Sequence, residues 1–268
     1  MNQGKVWFVG AGSGDADLLT LKGRDLIARA GAILYAGSLV SQTTLRWAPA
    51  GCEITDSKGM TLAEISAWLI EKAGRHEVVV RLQTGDPGLY GALIEMVRPL
   101  DDAGIPVEVV PGVTSAMASA AAAVESLTLP EVTQTVIFTR AAGRTPALPG
   151  EDLAELARHG STLCIYLSIT LLPQVCGALR QAGWGEDTPI LVVHKASWPG
   201  EERIVRGTVS DIVQRCRSHK IASQAMIIAS PTLGARTWPS IKTSKLYDAG
   251  FTHRFRSGKP SGEQNNGK

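Results

Sequence analysis

Two short turns carry the residues best suited to chemistry. In the first, Val79-Val80-Arg81-Leu82-Gln83-Thr84-Gly85-Asp86-Pro87-Gly88-Leu89-Tyr90-Gly91, a buried-type strand runs into a polar corner, with a helix predicted directly after it. The second, Val109-Val110-Pro111-Gly112-Val113-Thr114-Ser115, repeats the arrangement further along the chain. Glycine at such a corner lets backbone groups approach a ligand that a Cβ would hold away. Open α/β sheets bind ligands at the carboxyl ends of their strands, where these corners fall. Asp86 offers a carboxylate either to a cationic ligand or to its own turn. Thr114 and Ser115 offer hydroxyls to a ligand, to the helix that follows, or to both. Two such corners imply one small-molecule cleft, the arrangement of an enzyme.

A third turn, Gly10-Ala11-Gly12-Ser13-Gly14-Asp15, follows a short apolar run and superficially resembles a dinucleotide fingerprint. That fingerprint needs a sixth-position glycine, where Asp15 stands, and an acid ending the second strand, where Leu34-Tyr35-Ala36-Gly37 has none. A carboxylate beside a pyrophosphate is also repelled. The Lys-Ser or Lys-Thr ending of a phosphate loop is missing too. The glycines then imply tight backbone geometry, either against a substrate or simply for passage from strand to helix.

Elements with strand and helix periodicity must position these turns. Strands are predicted at Lys5 to Val9, Ala32 to Tyr35, Glu77 to Leu82 and Val107 to Val110, with helices at Leu18 to Ala30, from Thr61, and at Leu89 to Leu100. Thr61 followed by Glu64 reads as a capping box. Strands separated by helices imply a largely parallel sheet with helices on its faces. An Ala-rich helix over Val113 to Glu125 and a connector over Leu127 to Glu131 close this half. A second α/β set follows: strands at Thr133 to Thr139, Leu163 to Leu167, Ile190 to Val193 and Ala225 to Ala229, with Arg203 to Gly207 as an edge strand or hairpin arm. Helices near Asp152 to His159, Leu171 to Ala182 and Ser210 to Arg217 fall between them. The expected division is an N-terminal α/β domain over 1–112, a connecting helix and linker over 113–132, a C-terminal α/β domain over 133–250, and a disordered tail over 251–268 whose composition offers no apolar anchor near its end.

A chain of 268 residues with 44% hydrophobic and 19% charged residues has ample material for two α/β cores. The net charge of +2 is too slight to indicate nucleic acid. No apolar run is long enough to span a membrane and the start resembles no signal peptide, so the expected location is the cytoplasm. Cys52, Cys164, Cys176 and Cys216 form no CxxC pair and read as free thiols, while the five histidines lack metal-ligand spacing. No metal site is expected.

Taken together, Val9-Gly10-Ala11-Gly12-Ser13-Gly14-Asp15-Ala16-Asp17-Leu18-Leu19-Thr20-Leu21-Lys22-Gly23, Arg81-Leu82-Gln83-Thr84-Gly85-Asp86-Pro87 and Pro111-Gly112-Val113-Thr114-Ser115-Ala116 resemble the three signatures of the tetrapyrrole methyltransferase family. Four further stretches resemble its branch acting at C11 of precorrin-4: Ile33 to Val40, Leu127 to Thr135, Thr139 to Pro146 and Lys195 to Glu202. The resemblance covers about residues 5 to 234 and leaves the C-terminal extension outside. It implies two α/β domains with an interdomain trough, assembled as a homodimer, and S-adenosyl-L-methionine bound in a folded shape rather than along a Rossmann loop. Position by position, it assigns cofactor contact to Thr84, Gly85, Asp86, Leu89, Thr114, Ser115, Tyr166, Leu167, Ala196 and Ala225. Leu167 departs from the methionine often found there, and Ser13 from a common proline. Ala36 replaces an aspartate proposed as a base in uroporphyrinogen methyltransferases, which argues against C2 or C7 chemistry and leaves no catalytic base assigned.

The substrate implied is a polycarboxylated tetrapyrrole, which needs cations spread along an open trough. Arg81, Arg140, Arg144, Lys195 and Lys58 are the candidates, with His194 a further possibility, because guanidinium groups suit bidentate carboxylate contacts. Trp198 is placed either to stack on the ring or to seal the domain junction, and Tyr35 joins the substrate shell. The resemblance implies C11 methylation of precorrin-4 to precorrin-5 in cobalamin biosynthesis. The alternatives are the same step on cobalt-precorrin-4, a noncatalytic tetrapyrrole carrier, or a diphthine synthase-like enzyme acting on protein. No nucleic acid or membrane partner is expected.

Overall fold

The structure is a computed structural model and describes residues 4–258. In the first half, β1 (Lys5–Gly10), β2 (Ala32–Tyr35), β3 (Glu53–Asp56), β4 (Val78–Gln83) and β5 (Val107–Val110) form a five-stranded sheet in the order β3-β2-β4-β1-β5. Every pairing in it is parallel. β3 was not anticipated from the sequence. It is a short, largely exposed edge strand whose apolar content is a single Ile54.

Period-two alternation sends successive residues of these strands to opposite faces. Val6, Phe8, Leu34 and Val79 pack against Ile65 and Leu69 of α2 (Leu62–Ala73) and Met96 and Leu100 of α3 (Leu93–Asp102). Val9, Ile33, Val80 and Leu82 pack on the other side against Leu26 and Ile27 of α1 (Leu21–Ile27). The capping box at α2 forms in full: Thr61 Oγ1 accepts from Glu64 N, and Glu64 Oε2 accepts from Thr61 N at 2.7 Å.

Two helices start later than their sequence pattern suggests. The one expected from Leu18 is split: a 3₁₀ turn at Ala16–Leu18 is capped by Asp15, and α1 begins only after Thr20, whose hydroxyl oxygen accepts from Gly23 N. The one expected directly after the Asp86 corner begins at Leu93, because Tyr90 and Ala92 both sit at positive φ, outside the helical region.

In the second half, β6 (Val136–Arg140), β7 (Thr162–Tyr166), β8 (Pro189–His194), β9 (Arg203–Thr208) and β10 (Ala225–Ala229) form a sheet in the order β6-β7-β10-β8-β9. Only β6 and β7 run parallel; β10 lies antiparallel between β7 and β8, and β9 closes the edge as the antiparallel partner of β8. One face is covered by α5 (Leu153–Ala157), α6 (Leu172–Gln181) and α7 (Ile212–Ser218). The other face, including Cys164, Leu191, Met226 and Ile228, is covered by the Ala-rich α4 (Ser115–Ala123). Small side chains let α4 lie close to the sheet, so the helix that leaves the first half becomes part of the second core.

The segment after β10 continues through 3₁₀ turns at Ala235–Thr237 and Lys245–Tyr247, and His253 and Arg256 pair as an isolated bridge. Of the tail expected to be disordered, 259–268 lies outside the described residues. No helix among the described residues is long and apolar enough to cross a membrane.

Candidate functional site

The two halves meet around a cavity of about 370 Å³. Its first wall is the corner after β4. Gly85 has φ 61°, where glycine is favoured, and pairs with the glycine loop: Gly85 N donates to Gly12 O at 2.8 Å and Gly12 N to Gly85 O at 3.3 Å. Gly10, Gly85 and Gly112 are in tight contact. A Cβ on Gly112 would lie 2.1 Å from the Gly85 carbonyl oxygen, and one on Gly10 would lie 2.6 Å from the Gly112 Cα. The glycine loop therefore serves to bring strand ends together, and its backbone bonds are spent on the Asp86 corner.

Asp86 braces that corner. Its Oδ1 accepts from Gly88 N at 2.8 Å and its Oδ2 from Gly112 N at 2.9 Å, which couples the corner to the second turn. Gln83, buried at the end of β4, fixes the far side by donating from Nε2 to Gly91 O at 2.6 Å. The second turn supplies Thr114 and Ser115 at the start of α4. Thr114 does not cap that helix with its side chain; its hydroxyl pairs instead with the Tyr166 hydroxyl of β7 at 2.6 Å. Burial pushes the Tyr166 hydroxyl up, with Thr114 acting in the opposite sense, so this group stays protonated at neutral pH.

The second half contributes the loop after β7, the loop after β8 and the start of β10. Leu167, Lys195, Ser197 and Gln224 all adopt positive φ there. Such strain in non-glycine residues concentrates at binding sites, and three of these positions, Leu167, Lys195 and Gln224, line one cleft. Three sets of hydrogen bonds close the halves around it besides the Thr114–Tyr166 pair. Trp198 Nε1 donates to Ser13 O at 2.9 Å, Ser197 Oγ meets Ser13 Oγ at 2.7 Å and accepts from Asp15 N at 3.2 Å, and Gln224 Nε2 donates to Ser38 O at 2.8 Å.

All ten positions assigned to the cofactor line this one cavity: Thr84, Gly85, Asp86, Leu89, Thr114 and Ser115 from the first half, and Tyr166, Leu167, Ala196 and Ala225 from the second. Lys195 and Trp198 line it too. The Lys195 ammonium pairs with Glu201 and lies 4.8 Å from the centre of the Trp198 ring. Asp86 is the other charged residue on the lining, and the remaining surface is mostly apolar. A folded nucleoside carrying a sulfonium fits this character: apolar walls for the adenosine, backbone groups at two corners, and one carboxylate near a positive charge.

The other substrate candidates are not brought together here. Tyr35 is buried in the core beside α1, and Lys58 and Arg144 are exposed away from the lining. Arg81 shares its strand face with Val79 and pairs in register with Phe8 and Leu34. It is buried there, donating from Nη1 to Ser57 Oγ at 2.9 Å and to Leu34 O at 3.4 Å, while its Nε has no partner. Burial lowers its pKa to about 10, partly countered by Asp56. Arg140 lines a second cavity of about 310 Å³. His194 keeps a buried Nδ1 without a partner.

Sequence reasoning did not single out Gln224, Met226 or Tyr90, which also line the main cavity. Tyr90 sits inside the first motif, and its position beside the Gly85-Asp86-Pro87 corner was the available signal. Gln224 lies in an irregular loop with no motif, so nothing local marks it. Among the described residues no group of three or more His, Cys, Asp or Glu side chains is placed to hold a metal, and the four cysteines are free.

Comparison with known proteins gives consistent matches. Residues 5–213 match the family model of tetrapyrrole (corrin/porphyrin) methylases. A cobalt-precorrin-4 C(11)-methyltransferase from Priestia megaterium is 46% identical over 254 residues, covering 95% of this chain and 98% of that protein. A precorrin-4 C(11)-methyltransferase from Pseudomonas aeruginosa is 43% identical over 253 residues, covering 94% and 99%. The crystal structure of a cobalt precorrin-4 methyltransferase superimposes with a TM-score of 0.82 at 46% identity, covering 84% of this chain and 94% of that one. A uroporphyrin-III C-methyltransferase from Thermus thermophilus, solved with S-adenosyl homocysteine, gives 0.71 at 30% identity, covering 87% and 94%. With 254 of 268 residues matched, the likeness to the Priestia protein runs past Gly234 into part of the C-terminal extension, beyond the reach of the sequence motifs.

Proposed function

We propose, because this chain belongs to the tetrapyrrole (corrin/porphyrin) methylase family, that it methylates precorrin-4 at C11 to give precorrin-5 in cobalamin biosynthesis. The observation that carries the reading is the convergence of the ten positions assigned by the resemblance, from both halves, on one cavity. The methyl donor is S-adenosyl-L-methionine, which supplies an electrophilic methyl group and departs as neutral S-adenosyl-L-homocysteine once the acceptor carbon's electron pair has formed the new C–C bond. The donor shell is Thr84, Gly85, Asp86, Leu89, Thr114, Ser115, Tyr166, Leu167, Ala196 and Ala225.

Within this reading the chain's own residues bind, align and exclude water. The Asp86 carboxylate, oriented by Gly88 and Gly112, offsets the positive charge of the donor. Leu89, Leu167, Ala196 and Ala225 keep water from the reacting atoms. The hydrogen bonds between the halves hold the corners in register, and misplacement of about 1 Å costs about 10²-fold in rate. An enamine-type carbon is already nucleophilic, so its attack requires no base, and no side chain is assigned to proton removal. Lys195 and Trp198 are the substrate contacts with direct access to the cavity. Tyr35, Lys58, Arg81 and Arg144 lie outside it; of these only the exposed Lys58 and Arg144 enter as parts of a wider trough, while Tyr35 and Arg81 are buried in the first half. A homodimer working in the cytoplasm belongs to the same reading.

The second reading is the same step on cobalt-precorrin-4, favoured by the 46% identity to a relative of that name. Incubation with precorrin-4 and with its cobalt form tests both, with mass spectrometry for the gain of one methyl. NMR assignment of that methyl to C11 supports the position, and the ratio of the two rates selects the substrate. Absence of methyl gain with either form sinks the reading.

A further inference from the structure

The second cavity, about 310 Å³, adjoins the first and shares one residue with it, Tyr90. The Tyr90 ring stands 5.4 Å from the Tyr166 ring at 50°, and Tyr166 meets Phe138 edge-on at 5.7 Å. Tyr166 faces the first cavity and Phe138 the second, so the three rings make a partition between them. Tyr90 holds this place at φ 56°, on a turn pinned at both ends by Asp86 and Gln83. A half-exposed aromatic residue kept in a strained backbone, between two cavities, marks a wall that ligands meet.

Arg140 supplies the charge behind that wall. It ends β6, and its guanidinium is held by carbonyls: Nη1 donates to Thr145 O at 3.2 Å and Ala141 O at 3.5 Å, and Nη2 to Pro146 O at 3.2 Å. Carbonyls orient the group without cancelling its charge, and no carboxylate lies within ion-pair distance of it among the described residues. The rest of the lining is apolar (Ile137, Phe138, Leu156) apart from Thr139 and an exposed Glu151. One oriented cation suits a single carboxylate, and Glu151 opposes any second negative charge.

We propose that this second cavity is a carboxylate subsite, in which Arg140 takes one acidic side chain of the methyl acceptor while Tyr90 sets the acceptor ring against the donor cavity. This rests on the methyl-transfer reading and deepens it. Arg140 acts on acceptor binding from outside the first cavity, whereas Tyr90, which lines both cavities, acts on alignment.

The test compares wild type with Arg140→Gln, Arg140→Lys and Glu151→Gln in the full chain. Circular dichroism checks the fold and calorimetry checks S-adenosyl-L-methionine affinity. Arg140→Gln should raise the acceptor KM roughly ten- to a hundredfold, the span expected of a charged hydrogen bond, with kcat within about threefold. Arg140→Lys should recover part of that loss, and Glu151→Gln should lower KM. Uroporphyrin, a stable polycarboxylated tetrapyrrole, gives the same comparison as an equilibrium titration that needs no turnover. If wild type binds it and Arg140→Gln binds it equally well, or if KM is unchanged across the variants, the subsite is overturned. Should Arg140→Gln misfold, an unchanged KM in both Arg140→Lys and Glu151→Gln overturns it instead. A wild type that binds neither uroporphyrin nor precorrin-4 overturns the functional reading itself, and the subsite with it.

Discussion

The Oδ2 atom of Asp86 accepts a hydrogen bond from the backbone N–H of Gly112 at 2.9 Å, which joins the two corners of the main cavity through one carboxylate. The other oxygen is held by Gly88 N, so the side chain proposed to offset the donor's charge also sets the spacing of the walls. Asp86→Asn should separate these roles only in part. An amide has one acceptor oxygen, so one of the two backbone N–H groups loses its partner. The expected result is a loss of about 1–3 kcal/mol in stability and a fall of at least about tenfold in S-adenosyl-L-methionine affinity, equivalent to 1.4 kcal/mol. Denaturant unfolding and calorimetry measure the two, and an unchanged affinity would remove Asp86 from the donor site.

The three touching glycines differ in what a side chain would meet, which ranks their substitutions. At Gly85 the nearest atom to an added Cβ is 3.6 Å away, so alanine costs mainly the left-handed backbone, about 1–2 kcal/mol. At Gly112 a Cβ would be 2.1 Å from the Gly85 carbonyl oxygen, a backbone atom that must move. Gly112→Ala should therefore destabilise the chain more than Gly85→Ala. Gly85→Val should abolish donor binding with the fold retained, because a branched side chain adds volume at the corner where backbone meets ligand. Melting curves and donor titrations for the three variants decide the order. Equal melting temperatures for Gly85→Ala and Gly112→Ala would contradict it.

Trp198 and Gly14 fit together across the two halves: a Cβ on Gly14 would lie 2.1 Å from Trp198 Cδ1. Gly14→Ala should thus displace the indole and act like Trp198→Ala, each lowering kcat/KM by about 10²-fold through misaligned walls. Trp198→Phe keeps the ring but loses the bond to Ser13 O, a change of about 1 kcal/mol. The double variant Gly14→Ala, Trp198→Ala should be no worse than either single one, because both remove the same contact. Additive losses in steady-state kinetics would mean the two residues act separately.

What was legible in the sequence was what local chemistry encodes. The Thr61 and Glu64 pair fixed a helix start, and the Gly85 and Thr114 motifs located both corners of the cavity before any geometry was known. Arg81 shows the limit. Its place beside the Thr84-Gly85-Asp86 corner suggested a trough contact, yet alternation along β4 turns it to the face shared with Phe8 and Leu34, where Ser57 receives it. The direction of β10 and the reach of Gln224 to Ser38 depend on how distant segments pack, which no local pattern carries. The late start of α3 follows from positive φ at Tyr90 and Ala92, residue types that normally avoid it.

His194 makes stability depend on pH in a definite sense. Its Nδ1 is buried without a partner at the end of β8, and burial first, then Lys195 and Arg203, hold its pKa below the ordinary 6.5, with Glu201 acting the other way. In the unfolded chain the same imidazole takes up its proton as pH falls through about 6.5, whereas the folded protein resists it until lower pH. The unfolded state then binds more protons, so the folded state loses stability as pH falls below 6.5 toward the folded pKa. Above that value both states are neutral and the effect vanishes. Denaturant midpoints at pH 7.5 and 5.5 should therefore differ more in wild type than in His194→Gln, while carboxylates elsewhere contribute equally to both proteins. An identical decrease in the two would mean that His194 meets its proton as freely in the folded protein as in water.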